Sequence, residues 1–306
     1  MVPRSSQLGI VLLVSCANRK SQAATRGLQL RNSAKGNIDT VCQEWVRQVR
    51  QADPIEQVGR LYRGEYWSVV RPLMGLRRSD VLVISAGLGA RKPHELIPSY
   101  AATFDMHSLD AVGRRILTDE PRTTASRWWE LLSTGLDASI RSRLTTRPSP
   151  AILITALSYP YLEAIRQELE DLSQEFIGTI VLGARRGPQR ARFISLKPGI
   201  RLSLGGSSFS TSVRVASAIL NRHEAHPFEG TSEIEEFVQN LQAKSPDFHQ
   251  VNRRRLSDAE IIAFIREQIR SNGSTTKSSC LRALRNSGLA CEQGRFSLLF
   301  SQARAI

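Results

Sequence analysis

The stretch "GIVLLVSCANRK", residues Gly9 to Lys20, decides the reading of the chain. Ile10 to Val14 form an apolar run of strand length that stops abruptly at Ser15-Cys16-Ala17-Asn18-Arg19-Lys20. A short run with no polar alternation is the pattern of a strand covered on both faces. Such strands belong to parallel sheets, whose ligands sit outside the carboxyl ends of the strands. A thiol, an amide and two cations at that end therefore mark a candidate site.

Three more runs repeat the pattern: Asp80–Ser85, Ala151–Ala156 and Gly178–Leu182, with a short edge strand expected at Ala191–Leu196. Helical periodicity separates them, near Asp39–Ala52, Gln57–Leu76, Ser108–Leu117, Thr123–Leu144 and Tyr159–Leu172. The expectation is α/β: a three-layer α/β/α fold on a mainly parallel four- to five-stranded sheet. The strand ends to inspect are "SCANRK", "SAGLGARKPHELIPSY", "LSYPY" and "GARRGPQR".

The chain has 306 residues, enough for one large domain and one small one. Its net charge of +14 favours a polyanionic partner, nucleic acid ahead of an acidic membrane surface. Cys16, Cys42, Cys280 and Cys291 are scattered, with no CxxC pair, which fits a reducing cytoplasm better than a disulfide framework or a zinc site. Leu8–Val14 is too short for a secretory core, and no apolar stretch approaches the roughly 20 residues that span a bilayer. A cytoplasmic protein without a membrane partner is expected. There is no HExxH, no GxSxG and no GxGxxG after a strand. His94, His107, His223, His226 and His249 make no metal set, and His223 and His226 are read as surface or capping residues.

The segment "LGGSSFS", residues 204–210, precedes a helix expected at Ser210–Arg222. Its glycines and the serines Ser207 and Ser208 suit either a phosphate seat or ordinary capping. The expected domains are 1–227, a connecting segment 228–256 with an acidic helix and a basic arm, and a helical module 257–306. From Pro246 onward there are ten Lys or Arg and five Asp or Glu. Three helices, Asp258–Ser271, Thr276–Asn286 and Cys291–Ala303, with a Ser287-Gly288 turn, suggest a small all-α module like a helix-turn-helix. Arg253, Arg254, Arg255, Arg282, Arg285, Arg295 and Arg304 are its candidate phosphate contacts, or a solvated basic face.

The richest strand end is "SAGLGARKPHELIPSYAATFD", residues 85–105. Gly87 and Gly89 permit close backbone approach to a ligand. His94 or Tyr100 suits stacking on a base, Phe104 adds a flat surface and Asp105 a carboxylate. The competing reading is a long connection packed by its own aromatic residues.

Together, "VLLVSCANRK" and "VLVISAGLGARKPHELIPSYAATFD" resemble a bacterial and archaeal family. Its first strand ends in Cys-Ser-x-x-Lys and its second in Ser-Ala-x-x-Gly, followed by Pro-Tyr-Asp or Tyr-Asp. The same elements resemble a domain of archaeosine tRNA-modifying enzymes and, more distantly, the peroxide-stress YaaA proteins. That group is similar in fold to uracil-DNA glycosylases. The resemblance covers residues 8 to 110, and Ala17 and "TFD" depart from its pattern. Relatives with a basic C-terminal helical module resemble antiphage DNA glycosylases that remove glucosylated hydroxymethylcytosine. The resemblance implies base excision from double-stranded DNA without a cofactor, a chemistry that needs a basic surface and a base pocket.

On that implication Asp105 is the candidate general base or stabiliser of the sugar cation, and Asn18 positions water or reads the base edge. Cys16, Ser85, Gly87, Leu88, Gly89, His94, Tyr100 and Phe104 line the base pocket. Arg19, Lys20, Arg185, Arg186, Ser207 and Ser208 join the C-terminal arginines as DNA contacts. Cys16 is read as a buried thiol rather than a nucleophile, since the sequence places no histidine beside it. Two alternatives stand beside this: base exchange into RNA, and a DNA-binding protein without catalysis.

Overall fold

The computed structural model describes residues 8–118, 120, 123–144, 150–247 and 254–304. The chain divides after Asp247 into two compact units. Arg253 and His249 lie outside the described residues.

The strands of the first unit are β1 (Gly9–Ser15), β2 (Glu56–Gln57), β3 (Ser79–Ser85), β4 (Gly89–Arg91), β5 (Leu96–Ile97), β6 (Ala151–Ala156), β7 (Gly178–Leu182) and β8 (Arg192–Ile194). Six of them form one sheet in the order β4-β3-β1-β6-β7-β8, parallel except for β4. β2 and β5 form a separate antiparallel ribbon. The sheet thus exceeds the expected four to five strands. One addition is β4, an antiparallel edge strand made when the chain turns back at Ser85–Gly89, with Gly89 at φ +72°. β8 extends the other edge in parallel.

Every residue of β6, and all of β1 up to Val14, is buried, which requires cover on both faces. Helices α1 (Ile38–Gln51), α4 (Thr124–Gly135) and α6 (Tyr159–Ala164) pack together, as do α3 (Glu65–Leu73), α9 (Thr211–Ala225) and α10 (Thr231–Ala243). Shorter helices are α2 (Val58–Leu61), α5 (Ile140–Arg143), α7 (Arg166–Leu172) and α8 (Ile200–Leu204). The fold is α/β, a mostly parallel sheet flanked by helices. Among the described residues no helix is long and apolar enough to cross a membrane, and all four cysteines are buried and free.

Several expected elements are broken or replaced. The helix expected over Gln57–Leu76 is two helices, because Gly64 at φ +103° turns the chain between α2 and α3. Thr123–Leu144 breaks after Gly135, where Asp137 adopts φ +47°. Ser108–Leu117 contains only a 3-10 turn at Val112–Arg114, because its backbone bridges elsewhere, Thr103 with Ala111 and Gly36 with Ile116. His223 is a core residue rather than a surface one: Nε2 meets the Leu8 carbonyl at 2.9 Å and Nδ1 accepts the Phe228 N–H at 3.0 Å. The acidic helix α10 buries Ile234 and Val238 in the main core, so the connecting segment expected from residue 228 belongs to the first unit as far as Asp247.

The second unit contains α11 (Asp258–Ser271), α12 (Lys277–Asn286) and α13 (Gln293–Arg304) around Leu256, Ile261, Ile265, Leu284 and Phe296. Ser257 with Glu260, and Thr276 with Ser279, form reciprocal caps that start α11 and α12. Two residues at β9 (Arg254–Arg255) pair in parallel with β10 (Leu289–Ala290), so the unit is not purely helical.

Candidate active site at the strand ends

Sequential strands lie on opposite sides of β1: β3 on one, β6 on the other. Val14 stands opposite Val83 and Ala156 at once, so the carboxyl ends of all three strands are level. This is the point where strand order reverses and where open α/β sheets bind ligands. The Tyr66 hydroxyl, from the first turn of α3, closes it. It accepts the Ser15 N–H at 3.3 Å and donates to the Ala156 carbonyl at 2.7 Å. Burial pushes this phenol up to about 12, so it stays a neutral donor.

Two chains of polar groups start from these strand ends, one at Ser85 at the end of β3 and one at Cys16 after β1. Ser85 Oγ accepts the N–H groups of Gly87 (3.2 Å) and Leu88 (3.0 Å). With both lone pairs engaged, its proton is donated to the Tyr100 hydroxyl at 2.6 Å, which shares a hydrogen bond with the Tyr62 hydroxyl at 2.8 Å. In the second chain the Tyr161 hydroxyl lies 3.2 Å from both Cys16 Sγ and Thr103 Oγ1. Thr103 Oγ1 also accepts the Asp105 N–H at 3.1 Å. Burial, reinforced by Cys16, raises the Tyr62, Tyr100 and Tyr161 phenols.

Lys20 connects the β1 end to this cluster. Its Nζ lies 4.3 Å from the Tyr100 ring centroid and 5.6 Å from that of Tyr62, and donates to the Ala17 carbonyl at 3.0 Å. Burial lowers its pKa, with Cys16 and Asp110 opposing. The "SCANRK" turn thus sends Lys20 inward while Asn18 and Arg19 remain exposed.

The turn after β3 is fixed by two indoles. Trp45 of α1 donates to the Gly87 carbonyl and Trp128 of α4 to the Ala86 carbonyl, both at 2.8 Å. The glycines here serve packing rather than an open ligand surface. A Cβ on Gly87 would lie 2.4 Å from the Tyr100 ring, and one on Gly89 2.6 Å from the Ala138 carbonyl. Leu88 is fully buried. Phe104 packs its ring against the Tyr161 ring, centroids 5.1 Å apart. His94 does not join the cluster: it is exposed and lines a separate cavity beside the first half of β3.

The carboxylates divide differently from expectation. Asp105 is exposed and its Oδ1 accepts the His107 N–H at 3.0 Å, so it sits on the rim rather than inside. The buried acid is Asp110, which accepts the Arg31 backbone N–H at 3.0 Å and its guanidinium in a two-pronged pair. Arg31 holds this carboxyl below the usual aspartate range against the opposing effect of burial. Sequence reasoning missed Asp110, Tyr62, Thr103 and Tyr161 as site residues. "LSYPY" was a visible strand end, but nothing local singled out Tyr161 within it.

The glycine-serine loop before α9 already holds an anion of its own. Glu65 Oε1 accepts the Ser207 N–H at 2.7 Å and the Ser210 hydroxyl at 2.6 Å, with Arg214 closing the group at 3.4 Å. These donors hold the Glu65 carboxyl down at about 2. The expected phosphate seat at Ser207 is therefore filled from within, while Ser208 is exposed. Arg185 and Arg186 are exposed at the end of β7.

In the second unit the arginines split by role. Arg295 donates to Asp258 at 2.7 Å and to the Leu256 carbonyl at 3.0 Å, and Arg254 pairs with Glu260 at 2.9 Å. Both pair within the unit while their side chains remain partly exposed. Arg304 lies over the Phe300 ring at 5.7 Å. Arg255 and Arg282 are exposed and Arg285 is half-buried; α12 contains no acidic residue.

Among the described residues no three His, Cys, Asp or Glu side chains cluster as a metal site. Comparison of the chain with protein-family models, with curated proteins and with solved structures finds no match in any of the three.

Proposed function

We propose that this chain is a DNA glycosylase that flips a modified base out of double-stranded DNA and excises it, leaving an abasic site. The observation that carries the reading is Lys20: a largely buried cation at the switch point of the sheet, over two tyrosine rings whose hydroxyls are linked to Ser85. Hydrolysis of an N-glycosidic bond sends the bonding electron pair to the base and leaves cationic character on the sugar. Lys20 offsets the charge on the departing base, which takes up a proton from solvent in exchange for the one the attacking water gives up. Water adds its oxygen to the sugar carbon. Asp105 on the rim, with Oδ1 engaged by His107, has Oδ2 for the water proton or the sugar cation. Asn18, exposed at the end of β1, is the proposed group that orients that water.

The net charge of +14 supports a polyanionic substrate. The proposed substrate is phage DNA carrying modified pyrimidines such as glucosylated hydroxymethylcytosine, and the proposed setting is antiviral defence in the cytoplasm. The test is incubation with duplexes carrying cytosine, hydroxymethylcytosine, its glucosylated form or uracil. Alkali-labile sites are scored and the released small molecule is weighed by mass spectrometry. A free base with a matching abasic site is expected. If no duplex releases a base, the reading fails.

A further inference from the structure

The ends of β6 and β7 form a second feature that the base-release chemistry does not use. A cavity of about 350 Å³ opens there, lined by Leu157, Tyr159, Gly183, Ala184, Arg185 and Arg186. Gly183 takes φ +81° as β7 ends, a conformation that costs glycine least. The turn sets Arg185 and Arg186 side by side, and neither has a hydrogen-bond or ion-pair partner among the described residues. Tyr159, on the first turn of α6, is 56% exposed.

The neighbouring loop contributes a second ring. Phe209 is 87% exposed, the most exposed of the large apolar side chains among the described residues. Ser212, three residues later, lies 3.8 Å from where a side chain on Gly183 would begin, so the Phe209 loop borders the arginine turn. The loop is not slack. Glu65 ties Ser207 and Ser210, and Arg214 ties the Leu204 carbonyl at 3.2 Å. A rigid loop that holds a phenyl ring in water leaves apolar area uncovered at about 25 cal/mol per Å².

Two exposed rings and two unpaired arginines, carried by neighbouring segments, match the chemistry of unstacked nucleotides. Each ring offers a flat apolar surface to a base, and each guanidinium a fork to a phosphate. A duplex hides its base faces inside the stack, whereas a single strand presents them. We propose that Tyr159 and Phe209, with Arg185 and Arg186, form a binding platform for a single-stranded segment of nucleic acid, bases on the rings and phosphates on the arginines. In the glycosylase reading, on which its biological use rests, the platform holds the unpaired strand beside the flipped nucleotide. Its binding chemistry does not depend on turnover.

The test is fluorescence anisotropy with a labelled twelve-nucleotide oligo-dT, alone and annealed to its complement, across 50–200 mM salt. Wild type is expected to prefer the single strand to the duplex at matched salt. Y159A and F209A should each weaken single-strand binding by about 5- to 100-fold, the stacking loss of one base. A double R185A/R186A variant should flatten the slope of log affinity against log salt by about 1.4, for two lost phosphate contacts. Circular dichroism and melting temperature report whether each variant is folded, and Y159F and F209W, which keep a ring, should retain affinity. Unchanged affinity in folded Y159A and F209A would overturn the platform. So would duplex preference, or wild-type binding to phosphatidylserine vesicles but not to the oligonucleotide. Absence of base release with stacking-dependent single-strand binding intact would reject the glycosylase reading alone.

Discussion

Glu65 accepts the backbone N–H of Ser207 across the start of α9, at 2.7 Å. A loop whose glycines and serines read as an anion seat is occupied by the protein's own carboxylate. Glu65 and Tyr66 are adjacent, so one turn of α3 anchors both this loop and the β1–β6 crevice. Donors around Glu65 hold its pKa at about 2. A depressed carboxylate pKa contributes stability that is present above the ordinary glutamate value and lost as pH falls towards the folded one. An NMR titration should therefore find Glu65 still ionised at pH 3. Glu65→Ala should speed amide exchange at Ser207–Ser210 while the sheet stays protected.

Lys20 is the next test. Lys20→Met keeps the stem over Tyr62 and Tyr100 but removes the charge. Base release should fall by about 10²–10³, the range for losing one preorganised electrostatic contact, with the circular dichroism spectrum unchanged. Because burial lowers its pKa, the alkaline limb of the pH–rate profile should begin below the usual lysine range and vanish in the variant. The same depression means the unfolded chain binds more protons there, so this group makes stability rise with pH through that window.

Gly87 packs against Tyr100 with no room for a methyl group: a Cβ would lie 2.4 Å from the ring. Gly87→Ala should cost about 1–3 kcal/mol of stability by overpacking, measured by urea unfolding. It should also displace the Tyr100 hydroxyl from Ser85. Wild-type stability in this variant would show that the turn after β3 yields freely.

Asp110 accepts from both the backbone and the side chain of Arg31. Asp110→Asn retains one acceptor and removes the charge. It should cost about 1–3 kcal/mol, the loss of a charge-assisted bond, and Asp110→Ala should cost more. Since Arg31 depresses the Asp110 pKa, this stabilisation exists above the ordinary aspartate range and is lost on acidification below it. Wild type and Asp110→Asn should thus converge in melting temperature at the acid end.

Two arginines of the second unit should separate cleanly. Arg282 is exposed on a helix with no acid. Arg282→Ala should weaken duplex binding at all sequences alike and reduce the salt slope by about one, with melting unchanged. Arg295 joins α13 to Asp258 and Leu256. Arg295→Ala should instead lower the melting temperature of the unit.

By itself the sequence determined the layered architecture. Apolar runs at Gly9–Ser15, Ser79–Ser85, Ala151–Ala156 and Gly178–Leu182 are strands to within a residue, because burial on both faces leaves a signal inside each run. It also brought Cys16, Lys20, Ser85 and Tyr100 under suspicion, since strand ends are local features, and all four meet in one cluster. Which side chains turn inward was decided only by the tertiary structure. Asp105 and Asp110 are both acids after a strand end, but only Asp110 lies opposite Arg31, 79 residues away. Lys20 and Arg19 are adjacent cations, but only Lys20 reaches the rings of Tyr62 and Tyr100. The glycine-serine loop at Ser207 suits a phosphate seat or ordinary capping by sequence, and the carboxylate that takes its donors lies 142 residues earlier. Hydrogen bonds and ring contacts form between residues brought close by sheet pairing. The partner that settles each role therefore carries no mark in the local pattern.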